Sequence, residues 1–334
     1  MKVRVIKNKE ALLLIKKEWD KIFLEGEYTI FQSFQFCYNS LNEKSKPFII
    51  CLENKGEIKE IWPLEFISNR LRFINDTHAD FCDILSTSES VIAQEYLKEN
   101  NLLGKLRLRN LKQKSNIEKV LKNLSFYTRS TSVDYSKLSL KQTENFPDNF
   151  THFVYRQRRR LKRILKKYSA GYKIYERSND KFPIEEILTL RNEMIEEKTR
   201  GEDFLDSDFL DLAKKLYNSN NLIVSMIKSD GEVLGVSLLF RDKNNYSFWV
   251  DLYNNKPMAN LYHNILFIKR ISHENDAIFN FGRGAYNYKI QNFKPEIYSL
   301  YELNIFDSTF EAFLFKFSKK VKVIASNFYK KMKK

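Results

Sequence analysis

The sequence predicts a mixed α/β protein, in the broad α+β sense, built from two successive halves, and three observations carry that prediction. Apolar residues alternate along the chain between helical spacing, as at Leu12, Ile15, Trp19 and Ile22, and short β-type runs such as residues 47–52. These two periodicities separate a buried helix face from a strand. The same types of element recur in both halves. Finally, 334 residues with 43% hydrophobic content, including 27 Phe and 18 Tyr, exceed one ordinary domain and supply apolar side chains for two cores.

Taken in order, residues 12–26 read as an amphipathic helix ending near Gly26, and a short helix follows over 34–41. Strands are expected over 47–52 and 58–66, with a turn at 54–56 between them. Strand-like pieces at 71–74, 105–111 and 125–133 alternate with helical pieces at 88–100 and 115–121. The polar stretch 141–149 then divides the chain into domains 1–145 and 146–334. In the second, helices are expected over 151–167, 183–199 and 207–217, Pro183 suiting a first turn where no N–H is needed. Strands over 222–228, 233–240 and 246–252 follow, the first two joined by the tight hairpin signal Ser229-Asp230-Gly231. A helix over 258–272, strands over 277–281 and 297–306, and a basic C-terminal helix complete the chain.

The net charge of +15 suits polyanions, anionic lipid surfaces or phosphorylated small molecules without choosing among them. Much of the excess lies in residues 156–167 and 316–334, and either run could equally be a solvated helix face. No uninterrupted apolar segment of a signal peptide opens the chain, and none approaches the ~20 residues that span a bilayer, so a cytoplasmic protein is expected. Cys37, Cys51 and Cys82 are odd in number and set among apolar residues, which reads as reduced packing thiols with no metal site.

The stretch 276–289 is the most informative. An apolar run, 277–281, leads directly into Gly282-Arg283-Gly284 and then Tyr288-Lys289. Glycines permit a sharp turn at a strand end, which can aim N–H groups at one point, and Arg283 and Lys289 add two positive charges for an anion. The alternative is a glycine-rich hairpin carrying a solvated arginine.

That segment, with its order of surrounding elements, resembles the C-terminal half of GNAT-like acyltransferases of the cellulose-biosynthesis CelD type, relatives of the Fem peptidyl transferases. Asn280-Phe281-Gly282-Arg283-Gly284 with Tyr288-Lys289 is similar to the family's Asp-Phe-x-Arg-Gly…Tyr-Lys pattern, with Asn280 in place of the acid. Val233-Leu234-Gly235-Val236-Ser237 resembles its glycine-bearing strand, and Arg159, Arg160 and Arg163 sit where it carries a basic helix. Phe31-Gln32-Ser33, Pro63-Leu64 and Asp80-Phe81-Cys82-Asp83 resemble its N-terminal pattern. The resemblance implies two tandem GNAT-like domains with mixed sheets flanked by helices. It also implies an N-acyltransferase moving an acyl group from an acyl-thioester such as acyl-CoA to an amino sugar or similar precursor of a cell-surface polysaccharide, the acceptor lying in a cleft between the halves. The acidic pair that often follows Arg-Gly is replaced by Ala285-Tyr286, and the loop that ordinary GNAT enzymes use for the pyrophosphate of coenzyme A is absent.

Direct acyl transfer needs a proton acceptor and oxyanion donors but no covalent nucleophile. His78, Asp80 and Asp83 form the first group of candidate bases, Asp80 alternatively capping a turn; Asp251 is the second. His263 fits a satisfied structural histidine. Arg283, Gly284 and Lys289 are assigned to donor or acceptor phosphates, with Tyr288 orienting them or filling the core. A Fem-like transferase using charged tRNA is the alternative within the superfamily, and a non-catalytic nucleic-acid-binding protein is the alternative of another class. Phe313, Phe317, Val321 and Ile324 recur at helical spacing among lysines near the C-terminus. That helix either packs on its domain or rests on the inner face of an anionic membrane, each basic residue contributing about 1 kcal/mol near the surface.

Overall fold

Contacts between segments remote in sequence, more than local polarity, group this chain into units. The computed structural model describes residues 1–86, 91–121, 127–140, 155–167, 171–175, 181–254, 259–274, 276–318 and 321. The polar stretch 141–149, the helix start 151–154 and Ile324 lie outside the described residues. Two compact units result, one of Met1–Ser132 with Ser299–Lys334, the other of Val133–Tyr298. The division at 145/146 follows a local drop in hydrophobicity. The return of residues 299–334 to the first unit comes instead from a β ladder far apart in sequence.

The first unit contains strand β1 (Lys2–Ile6), helices α1 (Lys16–Glu25) and α2 (Phe34–Ser40), strands β2 (Pro47–Asn54), β3 (Glu57–Ile67), β4 (Arg70–Phe73) and β5 (Leu85–Ser86), helix α3 (Ile92–Glu99), strand β6 (Arg107–Leu111) and helix α4 (Asn116–Leu121). Strand β7 (Tyr127–Leu140) leads out of it. Strands β1 to β4 pair antiparallel in sequence order, with β5 on β3. The predicted helix over 12–26 is observed as a 3-10 turn running into α1, which buries Trp19 and Ile22. Trp19 packs edge-on against Phe34, and its indole N–H donates to the Gln32 carbonyl at 2.9 Å, so the large ring is buried without an orphaned donor. Cys37, Cys51 and Cys82 are buried and unbridged, and burial pushes the Cys51 thiol up to about 12.

The second unit contains helix α5 (Tyr155–Lys167), strand β8 (Gly171–Tyr175), helices α6 (Ile184–Glu196) and α7 (Ser207–Asn218), strands β9 (Ile223–Ser229), β10 (Glu232–Asp242) and β11 (Asn245–Tyr253), helix α8 (Ala259–Ile271), strand β12 (Ala277–Arg283) and helix α9 (Asn287–Phe293). Strand β13 (Glu296–Ile305) then returns the chain, pairing antiparallel with β6 at Tyr301↔Leu111 and Leu303↔Leu108. Within the unit the strand order is β7-β12-β11-β10-β9-β8, antiparallel except for β11 and β12. Parallel neighbours cannot be joined by a hairpin, so α8 crosses over between them and lies on the sheet. Phe267 of α8 meets Phe248 of β11 and Phe279 of β12 in one ring cluster with centroids 4.8–6.0 Å apart. Leu161 and Ile164 bring α5 onto the same core.

Candidate active site

The parallel pairing of β11 with β12 covers Asn245↔Ile278, Tyr246↔Phe279 and Ser247↔Asn280, and no ladder continues beyond it among the described residues, although β11 runs on to Tyr253. Buried backbone groups released in this way need other partners. The Lys289 ammonium, which is buried, donates to the Phe281 carbonyl at 2.7 Å and to the Gly284 carbonyl at 3.0 Å. Asn280 Oδ1 accepts the Gly282 N–H at 3.0 Å, and the Gly284 N–H donates to the Asp134 carbonyl at 2.6 Å. The first of these bonds asks only for a side-chain oxygen, so Asn280 serves where the resembling pattern carries an acid.

Gly282 and Gly284 adopt φ of 68° and 89°, as the glycine-flanked pattern requires. The register between β12 and β7 shifts between Asn280 and Arg283, a bulge that turns the strand end and leaves Arg283 half-buried opposite Tyr135. A Cβ at residue 284 would come within 2.6 Å of the Tyr286 ring. Gly284→Ala is therefore expected to cost about 1–2 kcal/mol in a urea-unfolding measurement, from backbone strain alone.

A polar row crosses the neighbouring strands. Ser225 of β9 faces Ser237 of β10, and Ser237 faces Asp251 of β11; directly opposed residues of antiparallel strands share a sheet face. Helix α8 covers that face with Asn260, His263 and Asn264, which are neighbours at helical spacing. His263 Nε2 meets Ser225 Oγ at 2.7 Å and its Nδ1 meets Ser237 Oγ at 3.3 Å. Ser237 Oγ donates to Asp251 Oδ1 at 2.5 Å, Asn260 donates to Asp251 Oδ2 at 2.8 Å, and Asn264 donates to Asn260 Oδ1 at 2.5 Å. Gly235 keeps this face open, since a Cβ there would lie 3.2 Å from the Leu252 carbonyl and 3.6 Å from His263 Nδ1.

The electrostatics follow from burial. Desolvation raises the Asp251 carboxyl above its ordinary range, opposed by Ser237, the Lys289 charge and the two asparagines. The residue as a whole retains some exposure while its carboxyl is enclosed by protein atoms. Burial also raises the Tyr288 phenol, with Asp251 adding to the effect, and Asn260 hydrogen-bonds both groups. His263 is pushed down to about 3 by burial and stays neutral, the satisfied structural histidine that the sequence suggests.

The first unit holds His78, Asp80 and Asp83 in a packed loop. Asn110 Nδ2 donates to the Asp76 and Ala79 carbonyls at 2.8 Å each, and the Cys82 N–H donates to the Asn110 carbonyl at 3.0 Å. Asp83 accepts the N–H groups of Asn116 at 2.7 Å and Ile117 at 2.9 Å at the start of α4, and its own neighbour's, that of Ile84, at 2.8 Å. Asp83 thus caps the start of α4, and burial raises its carboxyl to about 6. Asp80 is buried and His78 half-buried. Sequence reasoning gives no site role to Ser225, Ser237, Asn260 and Asn264, although a serine inside the apolar run of β9 and of β10 is a readable signal. It also passes over Glu60, fully buried in β3, which accepts from Trp62 Nε1 at 2.6 Å and Ser86 Oγ at 2.8 Å and is raised to about 7 by desolvation.

Residues 152–290 match the family described as an acetyltransferase (GNAT) domain. No curated protein matches the chain. Among solved structures, the C-terminal domain of a putative lysylphosphatidylglycerol synthetase from Agrobacterium fabrum is similar, with a TM-score of 0.60 and 9% identity, covering 91% of this chain and 95% of that one. FemX aligns with a TM-score of 0.59 and 10% identity over 91% of this chain and 97% of its own. A tandem GNAT protein from the clavulanic acid biosynthesis pathway aligns with a TM-score of 0.52 and 7% identity over 92% and 99%. At such identities the likeness concerns the fold, which is that of tandem GNAT proteins.

Proposed function

Starting from a chain that carries a GNAT acetyltransferase domain over residues 152–290, we propose that it transfers an acyl group from an acyl-thioester, acyl-CoA in particular, to the amine of an amino sugar or similar precursor of a surface polysaccharide. The observation that carries the reading is Asp251, a carboxyl raised by burial, hydrogen-bonded to Ser237 and Asn260 and located where β11 continues after its pairing with β12 has ended. A strand edge without a ladder partner can pair with an extended ligand bearing amides, as the arm of coenzyme A does.

In this reading the acceptor nitrogen attacks the thioester carbonyl, the C–N bond forms, the C–S bond breaks, and the amine proton passes to Asp251. The departing thiolate is protonated from solvent, and Asp251 returns its proton to solvent, while the Tyr288 phenol, which burial keeps protonated, is a hydrogen-bond donor for the developing negative charge. Arg283, together with the turn at Gly284 that Lys289 braces, meets the donor phosphates. Asp80, Asp83 and His78 lie in the other unit, and Asp83 is engaged as a helix cap, so the base role rests on Asp251 here.

Calorimetric titration with acetyl-CoA and longer acyl-CoAs at physiological salt tests the donor. Micromolar binding that weakens at least tenfold in Arg283→Ala is expected, with the fold retained. Absence of binding to the native protein sinks the acyl-CoA reading. Charged tRNA is the second donor class to consider, because Arg156, Arg159, Lys162, Arg163 and Lys166 form an exposed basic face on α5. Steeply salt-dependent RNA binding accompanied by aminoacyl transfer would support that class, and RNA binding without any transfer would indicate a non-catalytic protein.

A further inference from the structure

Helix 309–318, which continues the chain after β13, exposes its apolar side. Phe310 is 67% exposed, Phe313 63%, Leu314 46%, Phe317 58% and, further along, Val321 47%. At about 100° per residue these positions fall within an arc of roughly 100°. The opposite side is the packed one, with Ala312 buried and the Phe315 ring 5.3 Å from that of Phe306. The stripe is thus not the face by which the helix joins its unit. Large exposed apolar residues are ordinary when scattered, but a contiguous row of them marks an interaction surface.

The charge that follows the stripe in the sequence is of one sign. From residue 311 to the C-terminus the sequence carries Lys316, Lys319, Lys320, Lys322, Lys330, Lys331, Lys333 and Lys334 against the single acid Glu311. Aromatic side chains on one helix face, followed in sequence by dense lysine, are complementary to the apolar interior and anionic headgroups of a bilayer surface. No described helix is long and apolar enough to cross a membrane.

We propose that this helix docks the protein on an anionic lipid surface, its Phe310, Phe313, Leu314 and Phe317 side chains entering the headgroup boundary and the C-terminal lysines meeting lipid phosphates. The docking is independent of the acyl-transfer reading. It brings the chain to a surface where a lipid-linked acceptor could be met.

Flotation of the full chain with vesicles of phosphatidylcholine containing 30% phosphatidylglycerol, and with pure phosphatidylcholine, tests it. Partition onto the anionic vesicles at physiological salt is expected, at least tenfold weaker on the neutral ones. Phe313→Ser with Phe317→Ser should lower it at least tenfold while thermal unfolding is unchanged, and Leu314→Ser should give a smaller loss in the same direction. Native protein that stays in solution with anionic vesicles overturns the proposal, as does a double variant that floats like the native protein. Self-association abolished by the same double variant, without vesicle binding, also overturns it and gives the face to a second copy of the chain.

Discussion

Asp251→Asn is expected to lower kcat by a factor of roughly 10² to 10⁴, the range that a positioned general base contributes, while donor affinity stays within about twofold. The substitution keeps the shape and leaves an oxygen for Ser237 or Asn260, so a change of fold is not the expected cause. The pH profile separates the roles further. A base must be ionised, and because burial raises this carboxyl, the rate is expected to rise with pH through a point above the ordinary carboxylate value and then level off. The variant should lack that limb. For stability the sign is the reverse. A carboxyl whose folded pKa is raised favours folding in its protonated form, and that contribution is lost as pH rises through the folded value. The Asn variant, with no charge to desolvate, should therefore be as stable as the native protein at low pH and equally or more stable at alkaline pH. Normal turnover in a clearly destabilised variant would return Asp251 to a structural role.

Lys289→Met is expected to act through folding first. Its ammonium donates to the Phe281 and Gly284 carbonyls from a buried position, and Met fills the volume without offering a donor. Leaving buried acceptors unsatisfied costs about 1–3 kcal/mol for each, and Asp251 also loses a compensating charge, so a total near 2–5 kcal/mol is the scale. Differential scanning calorimetry should record the loss, with turnover falling as the turn at Gly284 loosens. Lys289 thus has a bracing task at the Phe281 and Gly284 carbonyls beside the anion contact expected of it from its position in the motif. Arg283→Ala differs in kind. It should weaken donor binding and cost less stability than Lys289→Met, because Arg283 is half-buried and Lys289 is buried. Equal destabilisation by both variants would contradict this separation of roles.

Much of this is legible in the residues themselves. The amphipathic spacing of Leu12, Ile15, Trp19 and Ile22 gives the first helix. Ser229-Asp230-Gly231 gives the β9–β10 hairpin, with Asp230 and Gly231 both at positive φ. Gly282 and Gly284 mark the turn where only glycine is at ease. Other elements carried no such signal. β1 is a short strand that forms by pairing with β2, α9 spans a segment that reads as an extension of the motif, and β8 lies in a polar region and is held by β9. Their formation depends on partners remote in sequence, which tertiary context supplies.

The site divides in the same way. Asp251 could be named from the sequence, but only as one carboxylate among several, because sequence carries no information on which buried group lacks enough donors to stay at its ordinary pKa. Residue identity and local periodicity by themselves determined the types of element, the glycine turn and the basic helix faces, since each depends on neighbours within a few positions. The tertiary structure alone decided that residues 299–334 return to the first unit, that Ser225, Ser237 and Asp251 stand in one row under Asn260 and His263, and that Lys289 braces a turn. The first two follow from strand register, where the partner of each residue is set by hydrogen bonds between segments far apart in the chain; the third follows from the turn between β12 and α9, which folds Lys289 back onto the Phe281 and Gly284 carbonyls.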